Sequence, residues 1–200
     1  RTISKFDPAA KVPIWMRRRI EKMGMRSISL VVDITNYVML ELGQPLHAFD
    51  KTKISGGLTI KRAGKSQKFV TLDGQERTLD PDDLMVCDDK QPLALAGTMG
   101  GLFSEITATT TDIALEAVRF DPVCVARNSR RHKLSSEASR RLERSVDPSL
   151  AEFASARFVQ LLTSHSSAKH VATVVDGEPR FSPVIDLDPT YIPRLLGFDI

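Results

Sequence analysis

Residues 31–50 read VVDITNYVMLELGQPLHAFD. Val31, Ile34, Val38 and Leu42 recur at helical spacing, so the segment from Ile28 to Leu42 is expected to be a helix with one buried face. Gly43-Gln44-Pro45 should end it, because a proline disfavours helical backbone in the residue before it. Two polar side chains stand out against this apolar background. Asn36 lies inside the helix, where a buried amide must find partners. His47 follows the proline turn, beside Leu46 and Phe49, and is either a satisfied core histidine or an imidazole held at a site.

Upstream, Pro13 opens a second candidate helix through Ile14, Met16, Ile20 and Met23, which Gly24 stops. Downstream the pattern changes to strands: Gly57 to Arg62, Phe69 to Leu72, Glu76 to Leu79, Leu84 to Cys87, Leu93 to Ala96 and Ile113 to Leu115. Asp73-Gly74 between the second and third is a tight-hairpin signal. Helices return with Asp121-Pro122, a cap followed by proline at the first helical position, leading to about Lys133. Ser135-Ser136 caps a helix through Glu143, and Asp147-Pro148 repeats the cap-and-proline signal ahead of Phe153, Ala156, Phe158, Leu161 and Leu162. Val171 to Asp176 and Val184 to Asp188 read as closing strands. The order helix, sheet, helix, strand argues an α+β fold with mixed or antiparallel sheets and flanking helices, in two sub-domains that share a cleft.

The chain has 200 residues, 42% of them hydrophobic, enough for one compact domain or two small lobes with a common core. Its net charge of +3 is unevenly spread, with basic stretches at 1–26 and 127–144 on an acidic body. Such stretches are either a polyanion footprint or solvated helix faces. Cys87 and Cys124 are the only cysteines and form no CxxC pair, which fits a reducing, cytoplasmic setting. No apolar run approaches the ~20 residues of a membrane span, and no secretory leader is evident. The chain begins with Arg1 rather than Met and reads as a piece of something longer.

Some apparent motifs fail on inspection. Gly64-Lys65-Ser66 has Thr59 where a phosphate-binding loop needs its first glycine, and it runs into a strand. His165 and His170 are five apart and share no helix face, so no metal ligand set is expected. There is no GxSxG elbow for a serine hydrolase.

Three further stretches expose polar groups at turns and element ends. Ala94 to Gly101, ALAGTMGG, has three glycines in its last five residues, so backbone can approach a ligand closely or simply bend. In Asp112-Ile113-Ala114-Leu115-Glu116-Ala117, Glu116 sits at a strand end, where it is either part-buried and in need of a partner or an ordinary edge carboxylate. His132 to Pro148 offers a helix N-terminus with hydroxyls and a run of arginines.

Taken together, VVDITNYVMLELGQPLHAFD, ALAGTMGG, LEAVRFDP and SSEASRRLERSVDP resemble, in order and spacing, the editing module of the bacterial phenylalanyl-tRNA synthetase beta subunit, the tRNA-binding B3/B4 region. The resemblance covers about residues 10–190. It implies that residues 1–188 are this module and that 189–200 open the next one. It also implies a hydrolase for the ester of tyrosine mis-attached to tRNA(Phe). His47, Glu116 and Ser136 would be its catalytic set, and Asn36, Gly100, Glu116, Ser136 and Ala138 would contact the substrate. Glu116 would recognise the tyrosine hydroxyl, water would be the nucleophile with His47 orienting it, and backbone N–H groups near Gly100 would meet the developing oxyanion. No cofactor is implied for editing; the parent enzyme's ATP and Mg belong to another site. The implied partners are the tRNA 3′ end, the rest of the beta subunit and the alpha subunit, with no membrane. The alternative is a non-catalytic tRNA-binding or scaffolding module. Against the family's usual residues, Ser136 replaces Thr, Leu142 replaces Phe, Ser145 replaces Gly and Ser27 replaces Pro.

Overall fold

The computed structural model describes residues 1–177 and 184–198. In chain order the elements are β1 (Thr2–Ser4), α1 (Ile14–Lys22), α2 (Leu30–Leu42), β2 (Leu46–Asp50), β3 (Thr59–Arg62), β4 (Lys68–Val70), β5 (Glu76–Thr78), β6 (Leu84–Cys87) and β7 (Pro92–Leu95). They continue with β8 (Met99–Gly100), β9 (Ile113–Ala117), α3 (Pro122–His132), α4 (Glu137–Leu142), α5 (Leu150–His165), β10 (Lys169–Ala172) and α6 (Tyr191–Leu196). The fold is α+β. One four-stranded sheet has the order β10-β1-β9-β2 and another the order β3-β6-β7-β8, all neighbours antiparallel, with β4-β5 as a separate hairpin.

Strand alternation decides which residues face which layer. In β9, Ile113 and Leu115 join the core formed with α1, α2 and α5, where Met16, Ile20, Ile34, Val38, Phe158 and Leu162 are fully buried. The intervening Ala114, and Val118 just beyond the strand, pack in the other direction, against the second sheet. In β2, Ala48 faces the helices while Phe49 joins Val86, Leu93, Ala94, Phe120, Val125 and Leu142. The first sheet is therefore covered by helices on one face and by the second sheet with α3 and α4 on the other. A two-residue period places alternate side chains of β2 and β9 in the seam between the two units.

The expected helices form nearly where their periodicity and caps place them. Asp121 accepts the Cys124 N–H at 2.8 Å, with Pro122 in the first turn. At the start of α2 the buried Asp33 carboxylate accepts the Ile28 N–H at 2.8 Å and the Ser27 hydroxyl. A proline at position 27 would lack the hydroxyl that makes the second of these bonds.

Several expectations are corrected. The last long helix starts at Leu150 after Ser149, because Asp147 turns its carboxylate onto the Ser149 N–H and hydroxyl instead of capping a helix at Pro148. The closing strand is Lys169–Ala172 rather than Val171 to Asp176, its extent limited by the three residues of β1 it pairs with. Residues 184–188 form no strand; Val184 is 93% exposed, and a strand propensity without a paired neighbour has nothing to hold it. Residues 178–183 lie outside the described residues. β1, β2, β8 and α6 were not expected from the sequence.

Candidate active site

A cavity of about 70 Å³ opens in the seam between the sheets. β2 and β9 contribute His47 and Glu116; β7, β8 and the loop joining them contribute Ala94, Gly97, Thr98 and Gly100; α4 contributes Ala138 and Leu142. His47 and Glu116 are direct register partners in the β2–β9 pair. Opposed residues point to the same face, with Cβ atoms about 4.5–5.5 Å apart. The imidazole packs edge-on to Phe49, two residues along the same face, with ring centroids 4.4 Å apart and planes at 84°.

Glycine is needed at two points of the opposite wall. A Cβ at Gly100 would lie 2.5 Å from His47 Cε1 and 2.7 Å from its Nε2, so the missing side chain is the space the imidazole occupies. Gly97 holds φ +65°, and a Cβ there would fall 2.9 Å from Val125 Cγ2. Of the N–H groups in this loop, that of Thr98 goes to the Leu95 carbonyl at 2.9 Å and that of Gly101 to the Leu93 carbonyl at 2.7 Å.

The electrostatics of the two titratable groups follow from burial. Glu116 keeps a little surface at the cavity mouth, but its Oε2 is buried and has no hydrogen-bond partner. Desolvation therefore pushes its carboxyl up from 4.5 to about 7. Desolvation lowers the His47 imidazole from 6.5 to about 4, leaving it neutral at pH 7. Among the described residues no cation is placed to hold Glu116 ionised, and the histidine opposite it is neutral at pH 7.

Residues 1–167 match the family model described as the B3/4 domain. The chain belongs to the B3/4 domain family. The phenylalanine–tRNA ligase beta subunit of Streptomyces avermitilis is 57% identical over 165 residues, which are 81% of this chain and 20% of that protein. That of Thermobifida fusca is 48% identical over 192 residues, 96% of this chain and 23% of that protein. The chain thus spans between a fifth and a quarter of the length of these curated relatives. The crystal structure of an N-terminal fragment of the phenylalanyl-tRNA synthetase beta subunit from Pyrococcus horikoshii aligns with a TM-score of 0.49 at 13% identity, over all of this chain and 55% of that one, too distant a likeness to build on.

Of the expected site residues, the B3/4 fold brings His47, Gly100, Glu116 and Ala138 to one cavity. Ser136 stands at its edge with its hydroxyl committed: it donates to the Thr98 carbonyl at 2.9 Å and accepts the Ser139 N–H at 3.0 Å, as the N-cap of α4. That bond ties the start of α4 to the glycine loop, and so sets where Ala138 and, one turn on, Leu142 meet the cavity. Asn36 is half-buried on α2 and is not among the residues lining it. Sequence reasoning passed over Thr98, Leu142 and Val118 as wall residues. Among the described residues, no three His, Cys, Asp or Glu side chains cluster to hold a metal ion. No described helix is long and apolar enough to cross a membrane.

Proposed function

We propose that this B3/4 domain is the editing module of a phenylalanine–tRNA ligase beta subunit and hydrolyses the ester of tyrosine wrongly attached to tRNA(Phe). The observation that carries the reading is the unpartnered Glu116 Oε2, buried at the cavity opposite His47. An acceptor in that position is costly unless a ligand donates to it. A phenol buried against Val86, Leu95, Phe120 and Leu142 would bring that donor while its ring meets apolar walls. An apolar synthetic pocket rejects an added hydroxyl only about 10²-fold, so a second site that selects for the hydroxyl has a purpose.

The roles follow from the charge states. A carboxylate is the stronger acceptor for the phenol, so binding tyrosine favours loss of the Glu116 proton. An imidazole with a pKa of about 4 is a weak general base, which suits His47 to orienting the attacking water or the terminal ribose rather than removing a proton by itself. Ser136 acts by holding the wall in this scheme, and Ala138 and Gly100 by leaving room. The scheme uses no metal or organic cofactor. The ATP and Mg of the parent enzyme act elsewhere. Its partners are the charged tRNA 3′ end, the remainder of the beta subunit and the alpha subunit, in the cytoplasm. Residues 189–200 begin the next module.

The test uses the complete ligase carrying Glu116→Ala and measures release of tyrosine and of phenylalanine from the corresponding charged tRNA. Losing a hydrogen bond to a charged group, about 1.5–3 kcal/mol, should slow tyrosine release by roughly ten- to a hundredfold and leave phenylalanine release unchanged or faster. A parent enzyme that releases no tyrosine would instead favour a tRNA-binding or scaffolding module. Equal loss for both amino acids would make Glu116 a residue of catalysis or folding rather than of recognition.

A further inference from the structure

We infer that Gln44 is a positioning residue that sets the spacing of the His47–Glu116 pair by clamping the ends of β2 and β9 across the cavity mouth. The inference rests on the editing reading for its kinetic consequence but not for the clamp itself. Gln44 lies in the turn between α2 and β2, and although its side chain is a polar amide it is completely buried. Its Nε2 donates twice, to the Pro45 carbonyl at 2.9 Å and to the Val118 carbonyl at 3.1 Å. Both acceptors belong to residues that line the cavity, one beside each strand.

The need for that amide comes from the neighbouring proline. The β2–β9 register pairs His47 with Glu116 and Leu46 with Ala117. One step further along the same register sets Pro45 opposite Val118. Proline has no N–H to donate, so the backbone ladder cannot continue there. The Gln44 side chain supplies the missing donor to Val118 and holds Pro45 with the same group. Pro45 and Val118 are each two residues from a site residue on the same strand line, and so share its face. Fixing their separation fixes the separation of the imidazole and the carboxyl.

The rest of the amide shows that packing alone does not explain the choice. Gln44 Oε1 is buried without a partner, and Glu116 Oε2 is the only other such side-chain atom among the described residues. Reversing the amide would aim Oε1 at two carbonyl oxygens, so the donors face the strands and the acceptor is left over. A methionine of similar shape would fill the space with no orphaned oxygen. The two N–H bonds are what a glutamine offers that methionine does not.

The experiment compares Gln44→Met and Gln44→Glu with the unaltered complete ligase. It measures hydrogen exchange of the segments spanning residues 44–50 and 113–120, kcat and KM for tyrosine release from mischarged tRNA, and phenylalanine activation as a control at a separate site. Gln44→Met should speed exchange in those two segments and lower kcat about ten- to a hundredfold, as expected for misplaced reacting groups, with KM and phenylalanine activation little changed. Gln44→Glu, which in its protonated form keeps one donor, should fall between. Faster exchange with unaltered kcat would overturn the inference, as would a fall in phenylalanine activation equal to the fall in kcat. If Gln44→Met does not fold, Gln44→Glu decides, and a kcat equal to that of the unaltered enzyme overturns the inference. If the unaltered ligase releases no tyrosine, the editing reading fails; the exchange data alone then test the clamp, which unchanged exchange would refute.

Discussion

Two carboxyl–histidine pairs lie in this domain, one buried and one half-buried at the cavity, and they are treated in opposite ways. Asp83, with no exposed surface, is surrounded by donors: His132 Nε2 at 2.6 Å, the Asp80 N–H at 2.8 Å and the Arg131 guanidinium. Next to it, Asn128 brackets Leu84 with two backbone bonds, at 2.8 and 3.2 Å, fastening α3 to β6. Glu116, opposite His47, has an oxygen that meets no donor among the described residues. A carboxylate with its hydrogen bonds satisfied belongs to the scaffold. A carboxyl left unsatisfied beside a cavity has an acceptor to offer to a donor from outside the chain.

The largest expected effect lies on the scaffold side. Asp83→Ala should destabilise the chain by about 3–5 kcal/mol, because Arg131 and the buried His132 lose the acceptor they share. Denaturant unfolding measures this, and the activity of the fraction that remains folded should be unaffected. A cost below about 1 kcal/mol, the value of an exposed ion pair, would erase the distinction between the two pairs.

The site pair should reveal itself through pH. Folding raises the Glu116 pKa to about 7, so its protonated form is favoured in the folded state; that stabilisation is present below pH 4.5 and disappears as pH rises through 7. Folding lowers the His47 pKa to about 4, so stability is present above pH 6.5 and lost as pH falls toward 4. The two limbs together place the stability maximum between about pH 5 and 6.5. Glu116→Gln removes the alkaline limb and should stabilise the chain at pH 8 by at most roughly 3 kcal/mol, at 1.36 kcal/mol per pKa unit, less what water at the cavity mouth already recovers. Unfolding curves at pH 5.5 and 8 decide it, and identical curves for the two proteins at pH 8 would show that Glu116 is already satisfied.

Local chemistry carried most of the fold into the sequence. The helix breaks at Gly43-Gln44-Pro45, the hairpin at Asp73-Gly74 and the Asp121 cap depend on residues within a few positions of one another, and all are where local rules put them. β2 was hidden because LHAFD becomes a strand only by pairing with β9, whose residues lie more than sixty positions away. β1 was hidden for the same reason, held between β9 and β10. The site residues could be nominated one by one, by type and by family resemblance. That His47 faces Glu116 is a property of strand register, and that Asn36 stays outside the cavity is a property of how α2 is turned. Gln44 passed unnoticed because its role consists of two hydrogen bonds to carbonyls that no side-chain pattern marks.

The smallest expected effect extends the comparison from buried groups to an exposed one. Ser145 occupies the left-handed region, at φ +67°, which glycine adopts without strain. For a residue with a Cβ this backbone costs about 1–2 kcal/mol. The serine hydroxyl recovers part of that by accepting a bond from Arg119 Nε at 2.9 Å, in solvent. An exposed bond to a charged group contributes at most about 1 kcal/mol, and glycine would add roughly 0.4–1 kcal/mol of chain entropy to the unfolded state. The strain should narrowly win. Ser145→Gly is expected to raise Tm by about 1–2 °C, at roughly 2–4 °C per kcal/mol for a chain of this size. Ser145→Ala separates the contributions, since it keeps the strain and loses the bond, and should lower Tm by a similar amount. If the glycine variant melts lower than the serine protein while the alanine variant melts lower still, the Arg119 bond exceeds what is left of the strain once the entropy of glycine is subtracted. An exposed hydrogen bond would then count for more in this domain than the contrast between Asp83 and Glu116 implies.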